Sequence, residues 1–225
     1  MIKQNDFLKI DFTGTVKGGE IFDSTKKEEL EQIYQDSNRK INPKPFVFCI
    51  GHKMFLESIE EYLIGKEMGK DYEIELTPEK GFGPRNPSLI QRIPQRVFRD
   101  QRLNPIPGIS FNFDGKVGRV LAVSGGRIMT DFNHPLAGKD VVYKIKVLEK
   151  VDNITEKVKA LNDFFFHMEP SFEIKENKLI LVLPESIGGF AMLFKDKYKE
   201  ILGLDLEIKR TKVKELKSSS GQKQS

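Results

Sequence analysis

Strict alternation of apolar and polar residues, broken off after Leu76 and resumed at Val141, constrains this 225-residue chain more than any other feature. Leu8, Ile10 and Phe12 alternate with Lys9, Asp11 and Thr13, and Phe46, Phe48 and Ile50 repeat the pattern. Tyr72, Ile74 and Leu76 face one way while Glu73 and Glu75 face the other; Val141, Tyr143, Ile145 and Val147 then restore it, with Lys144 and Lys146 outward. A period of two places successive side chains on opposite faces of a sheet, so these segments read as strands with one buried face. The interval is different in kind. Residues 84–130 hold five of the eleven prolines and eight Arg/Lys against Asp100 and Asp114. The simplest topology is a small module inserted into a larger antiparallel sheet.

Helical spacing fills the gaps. Thr25 followed by Glu28 reads as a capping box opening a short charged helix with Leu30, Ile33 and Tyr34 on one side. Phe55, Leu56, Ile59, Tyr62 and Leu63 form an apolar stripe about one third of a helix wide. Beyond 152, Asn153 and Glu156 read as a cap to a helix carrying Ile154, Val158, Leu161 and Phe165. Leu179 to Leu183 is a buried strand, Phe190, Phe194, Tyr198 and Ile201 mark one further helix ended by Gly203, and Leu204, Leu206 and Ile208 alternate. This is a third unit of α-β-β-α-β order. Residues 213–225 lack apolar content beyond Val213 and Leu216 and are expected to be a disordered basic tail.

Several chemistries are excluded early. The longest apolar runs are four or five residues, where a membrane span needs about 20. The single cysteine, Cys49, cannot close an internal disulfide and suits a reducing compartment. His52, His134 and His167 lie far apart with no metal-ligand spacing, so no metal and no cofactor is expected. Residues 209–225 carry six Lys/Arg against Glu215 alone, the minimum footprint of a nucleic-acid binder, but without the aromatic interleaving of a single-strand binder.

Taken in order, Ile10-Asp11-Phe12-Thr13-Gly14, Ile21-Phe22-Asp23-Ser24-Thr25, Pro45-Phe46-Val47-Phe48 with Gly51, the helix from Phe55 and Pro78-Glu79-Lys80-Gly81-Phe82-Gly83 resemble the FKBP-type peptidyl-prolyl isomerases over about the first 150 residues. Asp131-Phe132-Asn133-His134-Pro135-Leu136-Ala137-Gly138 resembles the second junction of the inserted flap in SlyD-like and long archaeal members. The resemblance implies an α+β protein: a half-open antiparallel sheet wrapped on one helix (1–84 and 132–152), an inserted mainly β flap (85–131) and a small accessory domain (153–212). It also implies an aromatic cavity. Asp23, Phe82 and Tyr143 would be its catalytic residues, and Phe12, Phe22, Phe46, Phe55, Leu56 and Ile59 would bind substrate. Asp23 has an alternative reading as a turn or cap residue before Ser24-Thr25.

Such an enzyme needs no nucleophile. The barrier of about 18–20 kcal/mol arises from amide resonance, and a dry pocket favours the less dipolar, twisted amide. The chain departs from the family pattern at three places: Phe12 and Phe82 stand where many members carry tyrosine, and Ile59 where single-domain members carry tryptophan. In the flap, Ile93, Val97, Phe98, Leu103, Ile106 and Phe111 either bind unfolded clients or form its own core. The expected function is a cytoplasmic prolyl isomerase and folding helper acting on unfolded or nascent proline-containing chains, with self-association through the third unit. The alternatives are a holdase with little isomerase activity and a basic ribosome- or RNA-associated factor.

Overall fold

In a computed structural model, which describes residues 1–35 and 41–211, the chain is α+β with mainly antiparallel sheets. Strand β1 (Phe7–Val16) turns at Gly18, whose φ of +69° suits glycine, into β2 (Ile21–Ser24). Helix α1 (Lys27–Tyr34) follows, but not through the expected capping box: Lys26 is the N-cap and no side chain caps it. Thr25 is used elsewhere. Its hydroxyl accepts from the Phe12 N–H at 3.0 Å and donates to Asp11 at 3.0 Å. Then come β3 (Phe46–Cys49), α2 (Glu57–Leu63) and β4 (Asp71–Leu76). Tyr62 of the predicted stripe is exposed, whereas Ile59 and Leu63 are buried.

The proline- and arginine-rich interval folds as β5 (Ile90–Pro94), α3 (Gln95–Asp100), β6 (Ser110–Phe113), β7 (Lys116–Ser124) and β8 (Arg127–Asp131). These strands form their own antiparallel sheet in the order β5-β8-β7-β6. After β9 (Val141–Lys150) come α4 (Ile154–Phe166), β10 (Phe172–Lys175), β11 (Lys178–Pro184), α5 (Glu185–Ala191), α6 (Lys195–Leu202) and β12 (Asp205–Thr211). The Asn153 side chain accepts from the Thr155 and Glu156 N–H groups, as a cap should. The single helix expected over Phe190–Ile201 is instead two, joined by a 3₁₀ turn at Met192–Phe194. Gly203, at φ +73°, ends the second. Strands β11 and β12 run parallel and β10 antiparallel to β11. The helices between β11 and β12 supply the crossover that a parallel pair needs. The basic tail expected at 213–225 lies outside the described residues.

Strands β1, β2, β3, β4 and β9 share one five-stranded sheet in the order β2-β1-β9-β4, with β3 also on β1. The chain divides into two compact units, and β1, β2, β4 and β9 each continue from one into the other. The first unit holds Met1–Thr13, Asp23–Glu73 and the chain from Lys144 on. Its buried residues include Leu8, Ile10, Phe48, Leu63 and Ile145, and also Val158 and Leu161 of α4, Tyr198 of α6, Leu179, Leu181 and Leu183 of β11 and Leu206 of β12. Burial pushes the Cys49 thiol up to about 12, which leaves it inert. The second unit holds Gly14–Phe22 and Ile74–Tyr143. Phe98, Val120 and Ile128 form the core of its four-stranded sheet, with Ile93, Leu103, Phe111 and Phe113 packed against them.

Glu29 gathers side-chain donors instead of capping the helix. Its carboxylate accepts the Ser24 and Thr13 hydroxyls, both at 2.6 Å, and pairs with Lys26 at 3.2 Å. Burial alone would raise its pKa, but these donors outweigh burial and hold it below the ordinary 4.5. A depressed folded pKa gives stability that is complete above 4.5 and lost as pH falls through the lowered value. Acid titration monitored by circular dichroism should therefore show Glu29→Gln less stable than the parent at neutral pH, with the gap closing under acid. A constant gap would assign Glu29 a packing role.

Candidate active site

Within the first unit, the inward phase of β1 and β3 brings Phe12 and Phe46 to the loop before α2. Phe12 lies 6.2 Å from Phe46 and 5.1 Å from Phe55 between ring centroids, and Phe46 lies 5.4 Å from Phe55. Phe48 closes the group, stacked on Phe46 at 5.4 Å. Phe46 and Phe55 are half-buried, so two rings of this nest present apolar surface. Leu56 is the N-cap of α2 and also half-buried. Ile59 is 0% exposed, which makes it floor instead of a contact surface.

Asp23, the third residue of β2, is exposed, and its Oδ1 accepts from the Ser24 N–H at 2.9 Å. That bond reaches only the next residue of the strand. Protein packed about the carboxyl nonetheless raises its pKa above 3.8, burial outweighing the Ser24 donor. The anion is therefore held where the fold disfavours it.

One acid escaped the sequence reading. Glu60 is 2% exposed, and its carboxylate accepts from the backbone N–H groups of Gly51 (2.7 Å), Phe55 (2.8 Å) and Lys53 (3.3 Å). It fixes the loop that delivers Phe55. The signal was present: Leu56, Glu60 and Leu63 share one helical face, so Glu60 is a charge embedded in the apolar stripe.

In the second unit, Phe22 meets Phe82 edge to face at 5.7 Å and Tyr143 at 5.7 Å. Gly14 permits this packing, since a Cβ there would lie 2.8 Å from the Phe22 ring and 3.1 Å from Tyr143. Tyr143 is buried and Phe82 half-buried. A cleft of about 540 Å³ in the same unit is lined by Val117, Arg119 and Leu121 of β7, by Arg85, and by the turn from Asn133 to Lys139.

The inserted sheet corrects part of the client-binding expectation. Phe98 is 0% exposed, and Ile93, Leu103 and Phe111 pack onto it, with Phe98 5.6 Å from Phe111. These residues are the module's core, because helix α3 needs an apolar face to hold it on the sheet. Val97 is half-buried. Ile106, at 48%, is the member of the expected set that is open, and Val117 at 61% joins it with Ile109. Val117 was legible only as part of an apolar run, since nothing in sequence says which face of β7 lacks a cover.

Comparison with known proteins places these features. A family model described as FKBP-type peptidyl-prolyl cis-trans isomerase matches residues 1–98, and one described as FKBP26, IF domain, matches residues 91–136. The chain is 33% identical to the short-type peptidyl-prolyl cis-trans isomerase of Methanocaldococcus jannaschii over 147 residues, 65% of this chain and 92% of the relative. It is 31% identical to the FKBP-type 16 kDa peptidyl-prolyl cis-trans isomerase of Escherichia coli K12 over 152 residues, 66% and 93% of the two chains. It is 29% identical to SlyD, an FKBP-type isomerase of Haemophilus influenzae, over 119 residues, 51% and 62%.

Proposed function

Because the chain belongs to the FKBP-type peptidyl-prolyl cis-trans isomerase family, we propose that its Phe12, Phe46 and Phe55 rings receive the prolyl ring of a partly unfolded polypeptide. The observation that carries this reading is that nest of rings, two of them presenting open apolar surface. The prolyl ring is oriented by burial, the Leu56 N–H at the mouth of α2 takes the carbonyl, and the water-poor site lowers the energy of the twisted amide relative to the planar one. Asp23 acts as a fixed anion whose field favours the twisted state. A thousandfold acceleration needs only about 4 kcal/mol.

Residues 1–84 and 132–152 form the isomerase domain in this reading, and 85–131 form a flap that gathers clients across the cleft beside Val117 and Arg119. The chain from 153 on is an accessory domain, and the protein works in the cytoplasm. Among the described residues no helix is long and apolar enough to cross a membrane.

Asp23→Asn tests the site. Asparagine keeps an acceptor for the Ser24 N–H, and it is neutral. A folded pKa above the unfolded value gives stability that is present below 3.8 and lost as pH rises through the raised value. A permanently neutral side chain therefore carries no electrostatic penalty near neutral pH. In a protease-coupled tetrapeptide assay kcat/KM should fall about tenfold, equal to 1.4 kcal/mol, with the melting temperature held or raised. The parent's activity should also decline as acid protonates Asp23, and the variant's should not. Matched losses of stability and activity would reduce Asp23 to a turn residue. Suppressed aggregation of an unfolded protein, with no turnover of the tetrapeptide and no faster proline-limited folding, would favour a holdase.

A further inference from the structure

Residues 84–130 carry eight Arg/Lys, seven of them arginine, against Asp100 and Asp114, and the isomerase reading uses almost none of that charge. Two of the seven arginines are engaged within the fold. Arg85 pairs with Asp131 at 2.6 Å, in a clamp that also bonds Asn86 to Asn133 and Gly83 to Gly138. The Arg119 Nε–H donates to the Gly108 C=O at 3.2 Å. The side chains of Arg92, Arg96, Arg99, Arg102 and Arg127 are exposed and have no ion pair or hydrogen bond among the described residues.

These five are not scattered. Arg96, Arg99 and Arg102 line one cleft of about 390 Å³ at α3, together with Gln95 and Asn104 and with no acid. Arg92 and Arg127 line a second, of about 310 Å³, on the uncovered face of the sheet. There Arg92 stands opposite Met129, two residues from Arg127, while Ile93 and Ile128 point the other way, onto Phe98 of α3. The two clefts adjoin, because Arg127 pairs with Pro94 and the next residue, Gln95, donates its N–H to the Gly126 C=O at 2.9 Å. Every one of these residues belongs to the second unit.

Arg102 adds an independent sign. Helix α3 ends in a Schellman turn, in which the Arg102 N–H donates to the Arg99 C=O at 2.9 Å and the Leu103 N–H to the Phe98 C=O at 2.8 Å. That turn holds Arg102 at φ +56°, the left-handed conformation usually given to glycine or asparagine. An arginine therefore stands where the backbone favours glycine, and no hydrogen bond or ion pair of its side chain among the described residues offsets the strain.

The donor character of the clefts narrows the ligand. A guanidinium group donates five N–H and accepts nothing, and its fork matches phosphate oxygens. An extended peptide brings one N–H for each C=O, and those donors would face arginines. A phosphodiester backbone brings acceptor oxygens and one negative charge per nucleotide. We propose that this edge of the inserted module binds the phosphodiester backbone of a nucleic acid strand, RNA or DNA, without reading its sequence. The single aromatic residue lining either cleft, Phe98, is buried, so bases find no stacking platform there and charge sets the affinity. This is a second activity beside isomerisation and does not depend on it.

Fluorescence anisotropy of a labelled oligouridylate, titrated with the full-length protein at several salt concentrations, tests the proposal. Five phosphate contacts on a single strand give log K a slope of about −3.5 against log salt. Replacing Arg96 and Arg99 by Gln and Arg102 by Gly should make that slope shallower by about 2 and weaken binding at low salt about tenfold or more. Arg102→Gly alone should weaken binding while the melting temperature holds or rises, because glycine relieves the left-handed turn. The same change in net charge made outside the module, with the exposed Lys146, Lys159 and Lys195 each replaced by Gln, should leave binding close to the parent's. An oligothymidylate should bind like the oligouridylate, since phosphate contacts do not read the sugar. Equal losses in the arginine and lysine variants would mean that net charge alone attracts the strand, and an unchanged slope in the arginine variant would place binding elsewhere; either result overturns the proposal. So does poly-glutamate of matched charge competing as well as the oligouridylate, which would assign the clefts to acidic polypeptides, or inorganic phosphate displacing the strand at equal phosphate concentration, which would make them a site for the free anion.

Discussion

Excising residues 88–129 and bridging the ends with a short Gly/Ser linker should cut catalysis on an unfolded protein substrate about 10- to 100-fold, while a tetrapeptide substrate loses far less. The cut removes a module with its own core: Phe98, Val120, Ile128 and the residues packed on them leave together. The clamp beneath it stays, because Arg85 with Asp131, Asn86 with Asn133, and Gly83 with Gly138 all lie outside the excised segment. Loop-closure entropy changes slowly with length, so the shortened protein should fold. In the proposed reading a long client engages both the prolyl site and the exposed apolar residues Ile106, Ile109 and Val117, so that each contact would raise the local concentration at the other. A tetrapeptide is too short to gain from this. Folding of a proline-limited substrate and tetrapeptide turnover, measured on one purified variant, decide the matter. Equal losses would mean that the module shapes the catalytic site; no loss on either substrate would sink its role in gathering clients.

The strands were legible because a one-sided sheet writes its period into sequence: Leu8, Ile10, Phe48 and Ile145 are all buried. Phe12 and Phe46 were legible because they fall on the inward phase of their strands; Phe55 was legible as the first residue of a helical stripe and from the family resemblance, and it lies in the loop before α2. Two kinds of feature were not. Hydroxyl and carboxylate partners are chosen in three dimensions, so the Thr25 and Glu28 spacing suggested a capping box while Thr25 went to Asp11 and Glu29 took Ser24 and Thr13. Exposure on a small module depends on which face its one helix covers, and that assignment buried Phe98 and left Val117 open. In both cases composition and period specify an element but not its neighbour. The break between α5 and α6 belongs here too: a spacing of four from Phe190 to Phe194 to Tyr198 is kept across it, so the apolar face gave no sign of the 3₁₀ turn.

Glu60→Ala should be the most destabilising single change in the isomerase region, costing about 3 kcal/mol. The loop it holds is strained, with Gly51 at φ +86° and Lys53 at φ +56°, and a side chain at Gly51 would meet Gln4 at 1.7 Å. The carboxylate offsets that strain by accepting three backbone N–H groups, each a charge-assisted bond. Alanine leaves those donors without a partner in a part-buried setting, where a lost bond exceeds the value of one made. Phe55 ends the loop, so its ring, set against Phe12, Phe46 and Phe48, should shift as the loop relaxes. The expected results are a lower urea midpoint, faster amide exchange at residues 51, 53 and 55, and a fall in kcat/KM that accompanies them. Glu60→Gln should lie between, because one amide oxygen still accepts while the charge is gone. An alanine variant with an unchanged midpoint would show that water replaces the carboxylate and that the loop is held by its own packing. The contrast with Asp23→Asn is the sharper test of the site: one acid should take stability and activity down together, the other activity alone.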